Sequence, residues 1–117
     1  MTGLKRKEKV IQMVIVEIYD SARTYMEEFP DVAKALPHVL SAAIDVFPNS
    51  QIQVYLYEDY ENRDEYLLVN VRTHNYKDIL KKLEEVEKTL FEHMSDAVGW
   101  IQLSTDFKEP ELRYDRK

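Results

Sequence analysis

Glu58, Asp59, Glu61, Asp64 and Glu65 crowd one short connection between two strand-like stretches, with only Arg63 among them to offset the charge. Carboxylates are the ligands of hard cations such as Mg²⁺ or Ca²⁺, and Asp59, Glu61, Asn62 and Asp64 could together supply several oxygens. Paired acids at a strand end also hold the metal in nucleotidyltransferases and some nucleases. Two features weigh against either chemistry. No glycine interrupts the loop, so the sharp turn of an EF-hand-type motif is absent. The glycine-serine turn expected ahead of a nucleotidyltransferase acid strand is missing too, with Asn49-Ser50 in its place. The loop reads as a solvated connection. Asp59, Glu61 and Asp64 are the residues that the opposing reading, a metal-dependent phosphodiesterase or nuclease, would use.

The remaining reactive side chains are dispersed. His93 and Asp96 stand one helical turn apart, but no second histidine lies at ligand spacing on that helix. His74 falls at a strand-to-helix junction and His38 follows Pro37, so all three histidines read as structural or surface residues. Ser21, Ser41, Ser50, Ser95 and Ser104 have no Gly-x-Ser-x-Gly elbow around them. Gly3 and Gly99 are the only glycines, which excludes phosphate-cradling loops and dinucleotide fingerprints. These absences lean against an enzyme, and no cofactor is expected.

The strands that carry the acidic loop hold the more informative pattern. In 51–58, Ile52, Val54 and Leu56 share one face, with Gln53, Tyr55 and Tyr57 on the other. In 65–72, Leu67, Val69 and Val71 share a face, opposite Tyr66, Leu68, Asn70 and Arg72. Each strand thus has an aliphatic side for a core and an aromatic-polar side. Tyr55, Tyr57, Tyr66, Leu68, Arg72 and Trp100 are expected to project together, and Tyr, Trp and Arg are the types enriched at interface hot spots. Two outcomes are open for this face: cover by the N-terminal helices, or exposure to a partner.

The flanking segments must position that hairpin. Residues 4–29 read as a first helix with the stripe Ile11, Ile15, Ile18, Ala22, Tyr25 and Phe29, and that stripe is a second candidate surface. The β-branched density at Val14, Ile15 and Val16 keeps a strand over 10–19 as an alternative. Pro30 ends the segment. A second helix spans 31–46, with Asp31 as N-cap and Pro37 expected to kink or split it. Between the strands, 59–64 lacks Gly and Pro, so a loop longer than a tight two-residue turn is expected. Residues 75–97 form the most regular helix, with the stripe Ile79, Leu83, Val86, Leu90, Met94 and Ala97, ending at Gly99. Alternation resumes over 100–107 as a third strand. The expected fold is α+β: two N-terminal helices followed by a ββαβ unit, with a three-stranded mixed sheet in the order 2-1-3 packed against helices. One domain is expected over 1–107, with 108–117 a charged tail that runs off it.

Composition fits this picture. A chain of 117 residues with 44% hydrophobic residues and eight tyrosines suits one domain with its own core. No cysteine is present, which excludes disulfides and thiolate chemistry and suits a reducing cytoplasm. The net charge of -6 disfavours nucleic acid as a partner, and Lys5, Arg6, Lys7 and Lys9, the one basic cluster, read as a solvated terminus. The apolar run over 10–16 is far shorter than the ~20 residues of a membrane span, so no membrane is expected.

Phe47-Pro48-Asn49, Glu65-Tyr66-Leu67, Val71-Arg72, Tyr76, Gly99-Trp100 and Thr105-Asp106-Phe107 together resemble a family of short, uncharacterised prokaryotic proteins, over about residues 45–107. That resemblance implies the ββαβ order and no particular chemistry. Function itself is not written in the residues. The reading they favour is a small non-enzymatic interaction or regulatory module, a homodimer or the partner of another protein.

Overall fold

The computed structural model describes residues 14–94 and 98–111. The first described element is a strand where a helix was expected. Strand β1 (Ile15–Ile18) is followed by helices α1 (Asp20–Glu28) and α2 (Pro30–Val46), the hairpin β2 (Gln51–Asp59) and β3 (Asp64–Arg72), helix α3 (Ile79–Met94) and strand β4 (Ile101–Ser104). The protein is α+β, and its described residues form three helices and a four-stranded mixed sheet in the order β1-β2-β3-β4. This overturns the three-stranded sheet of order 2-1-3 behind two N-terminal helices.

The correction starts at Val14, Ile15 and Val16, whose stiff β-branched side chains fit a pleated strand better than a helix. What decides between the two is a backbone partner. Ile15 N–H donates to the Ser50 carbonyl and Tyr19 N–H to the Val54 carbonyl, so β1 runs parallel to β2 in the register Val16 to Ile52 and Ile18 to Val54. Once β1 occupies the outer side of β2, the last strand cannot take that place. β4 pairs instead with β3, parallel, setting Leu67 beside Ile101 and Val69 beside Leu103.

The helices form one layer. Their buried side chains, among them Tyr25, Val32, Leu36, Val39, Leu83, Val86 and Leu90, join Ile52, Val54, Leu67, Val69, Val71, Ile101 and Leu103 in a single core. The fold is therefore two βαβ crossovers joined by an antiparallel hairpin. Both step the same way across the sheet and lie on the same face, yet their strands run in opposite directions. They must then have opposite hands, and one of them departs from the right-handed preference.

Local chemistry sets the element ends. Pro30 occupies the first turn of α2, where its missing N–H costs nothing. Pro37 does not split that helix; it sits on the exposed side and α2 runs through to Val46. The Asn75 side chain accepts the Lys77 N–H in a turn, Asp78 takes a left-handed φ of 58°, and α3 starts only at Ile79. Gly99 is needed for close approach: a Cβ there would lie 2.6 Å from Val32 Cγ2 and 3.0 Å from Phe29.

Candidate functional site

Alternation gives the sheet a second face that, among the described residues, carries no helix. Register lays its side chains out in rows: Ile15, Gln51 and Arg72; then Glu17, Gln53, Asn70 and Ser104; then Tyr55, Leu68 and Gln102; then Tyr57 beside Tyr66. Trp100 enters next to the last row, its carbonyl accepting from Leu67 N–H. The rows divide into a polar half and an aromatic half.

The polar half is a connected hydrogen-bond network. Arg72 Nε donates to both Asp106 carboxylate oxygens, at 3.2 and 3.1 Å, and its Nη2 closes a 2.8 Å ion pair with Asp106 Oδ2. Its Nη1 donates to Gln51 Oε1, which also accepts the Glu111 backbone N–H at 2.9 Å. Gln51 and Gln53 both donate to Glu17 Oε1, Gln53 also reaches the Tyr19 hydroxyl, and Asn70 donates to Gln53 Oε1 at 3.1 Å. Gln51, Gln53, Asn70 and Arg72 are all buried. Burial at that depth is tolerable because each amide and the guanidinium has partners. The Arg72 bond holds the Asp106 carboxyl below the usual carboxylate range, and the same bond raises Arg72. Burial, then the charge of Asp106, pushes the Tyr55 phenol up.

The aromatic half is dry in type and open to water. Tyr57 and Tyr66 stack with centroids 5.1 Å apart, Tyr19 meets Tyr55 edge-on at 5.9 Å, and Phe91 of α3 stacks on Trp100 at 6.1 Å. Tyr57 is 41% exposed, Trp100 37% and Tyr19 43%. The platform is tied to the helices from beneath. Tyr25 in α1 accepts the Trp100 N–H and donates to the Glu65 carbonyl.

Of the residues singled out from sequence, Tyr55, Tyr57, Tyr66 and Leu68 do share this face, while Trp100 sits at the start of β4 with its ring stacked on Phe91 of α3. Arg72 shares it but is occupied by Asp106 and by Glu111, whose carboxylate lies 3.7 Å away. Ile15 and Ile18 do not form one stripe, because a strand sends them to opposite faces: Ile15 to the open face in line with Gln51, Ile18 to the helix side in line with Val54. Ile11 lies outside the described residues. Glu17, Gln51 and Asp106 were missed. A polar side chain at alternate positions of an apolar strand was the available signal for Gln51, whereas nothing local marks Asp106.

At the hairpin tip, Asp59 and Asp64 line a pocket of about 460 Å³ with Glu58, Tyr60, Arg63 and Glu65. Glu61 is not part of it. The Asp59 carboxylate accepts the backbone N–H groups of Glu61 and Asn62 and the Asn62 side-chain amide, so it is engaged in shaping the turn. Arg63 at φ 62° completes that turn. Glu58 and Glu65 face each other across the strands, and their shared hydrogen bond, desolvation and mutual repulsion raise the Glu65 carboxyl. Among the described residues no three His, Asp or Glu side chains converge as a metal site. His38 of α2 stacks on His93 of α3 at 4.0 Å, and His74 lies 3.9 Å from Glu109. No helix among the described residues is long and apolar enough to cross a membrane. Compared with protein-family models, curated proteins and solved structures, the chain matches none.

Proposed function

We propose that the chain is a non-enzymatic interaction module, a homodimer whose subunits meet through the aromatic half of the open face. The observation that carries this reading is the stacked pair Tyr57 and Tyr66, with Tyr57 41% exposed, on a sheet face that no helix covers among the described residues. Tyrosine and tryptophan are the types that dominate interface energetics, because each loses a large apolar area from water at little rotamer cost. A two-fold axis through such a patch lets each ring stack on its mate, the self-complementary arrangement of an isologous dimer. The -6 net charge favours a protein over nucleic acid as the partner. An acidic chain without cysteine suits the cytoplasm.

Sedimentation equilibrium of the full chain from low to several hundred micromolar tests this. A reversible dimer is expected, converted to monomer by Tyr57→Ser with Tyr66→Ser. A strict monomer throughout the range would remove the homodimer.

A further inference from the structure

β4 is the outer strand of the sheet, paired with β3 on one side and, among the described residues, with no strand on the other. A free strand edge offers backbone N–H and C=O groups to another extended segment. Alongside it, between β4 and α3, runs a groove of about 410 Å³. Its base is apolar: Leu83 and Leu103 line it and are buried. At one end Leu80 and Phe107 remain 71% and 64% exposed.

Phe107 holds that position at a price in backbone conformation. Its φ of 60° is left-handed, a region bulky side chains rarely enter. Thr105 Oγ1 accepts its N–H and the Tyr76 ring packs against it at 5.3 Å, so the turn displays the ring at the mouth of the groove. A strained residue whose ring is left in water is an observation that asks for a role.

The groove also has a sign. Glu84 and Glu87, one helical turn apart, line it together, none of its lining residues is basic, and neither glutamate makes an ion pair among the described residues. The geometry points to this groove as the docking site for an extended, cationic segment of a partner protein. That segment adds to the β4 edge as a fifth strand, sets an apolar side chain against Leu80 and Phe107, and places a lysine or arginine two residues along against Glu84 and Glu87. The spacings agree: alternate residues of a strand are about 6.6 Å apart, and four residues of helix, Leu80 to Glu84, rise about 6 Å. A second copy of this chain fits less well. Edge-to-edge addition about a two-fold axis would bring α3 antiparallel to its mate and oppose glutamate with glutamate. Neither Tyr57 nor Tyr66 lines the groove, so this site does not depend on their stacked pair.

Fluorescence anisotropy with two short labelled peptides tests it on the full chain. In one, threonine alternates with valine, lysine and arginine; in the other, glutamates replace the two basic residues. The cationic peptide is expected to bind at least about tenfold more tightly, as charge complementarity across an interface sets partner choice. Glu84→Lys with Glu87→Lys, both on the helix surface, is expected to reverse that preference, and Phe107→Ser to weaken binding of either peptide. Tyr57→Ser with Tyr66→Ser is expected to leave binding unchanged. Equal affinity for the two peptides, an unreversed preference in the Glu84 and Glu87 variant, or no binding of either peptide would overturn the proposal. Undiminished binding of a cationic peptide N-methylated along its edge-facing amides would overturn strand addition.

Discussion

The two halves of the open sheet face differ in what happens to side chains that no helix covers among the described residues. At one end Gln51, Gln53, Asn70 and Arg72 are drawn into a hydrogen-bonded network and buried. At the other, Tyr57 keeps more than a third of its surface in water. Polar groups withdraw from solvent only when they can satisfy each other, and here Asp106 and the Glu111 backbone arrive to complete the set. Aromatic rings have no such local substitute. Their remaining gain lies in removing more apolar area from water, which needs another surface. One half is thus finished within the chain, while the other remains available.

This contrast predicts that the halves respond to different measurements. Arg72→Met should cost about 3 kcal/mol in urea unfolding, because Asp106 is left without its partner. It should leave association untouched. Adding Asp106→Asn should recover part of the loss, and strict additivity would show that the pair is not coupled. Next in size is the aromatic half. Tyr57→Ser with Tyr66→Ser should raise the dimer dissociation constant at least about 30-fold, the equivalent of roughly 2 kcal/mol, and change monomer stability little. A large fall in melting temperature with unchanged association would erase the distinction between the halves.

Acid should weaken the polar half, though only after the hairpin tip has taken up its proton. Asp106 titrates lower folded than unfolded, so its contribution is complete above the unfolded value near ~3.9 and is lost as pH falls through the depressed folded value. The stability gap between the native chain and Asp106→Asn should therefore hold from neutral pH to about 4 and close below it. The smallest effect belongs to the hairpin tip, where the sign is opposite. Glu65 is raised, so its contribution is present below the unfolded value and lost as pH rises through the folded one. Glu58→Gln should give a slightly higher melting temperature at neutral pH and no gain in acid. A gain that persists in acid would rule out repulsion from Glu65 as the cause.

Much of the hairpin was legible from residue order. Alternation in Ile52, Val54, Leu67, Val69 and Val71 assigned the core face, and a loop without Gly or Pro pointed to a connection longer than two residues, here 60–63. The stripe of α3 was read correctly from Ile79 to Met94. The start of the chain was not, because a helical stripe through Ile15, Ile18, Ala22 and Tyr25 competed with the β-branching of 14–16. A partner strand more than thirty residues away settled it. The same distance hid the fate of Arg72. Its type suggested a docking residue, and only the return of the chain after β4 brought Asp106 to it.

Which residues face inward is a local property, set by side chains that alternate along a strand or recur along a helix. The residues of this chain therefore determine the two faces of the hairpin, the buried stripe of α3 and the lack of any glycine-rich phosphate loop. Which strands adjoin, and which uncovered side chains find partners, depends on backbone and side-chain hydrogen bonds between distant segments. Tertiary structure decided that 15–18 is a strand beside β2, that β4 lies at the far edge, and that Asp106 meets Arg72 while Tyr57 stays bare.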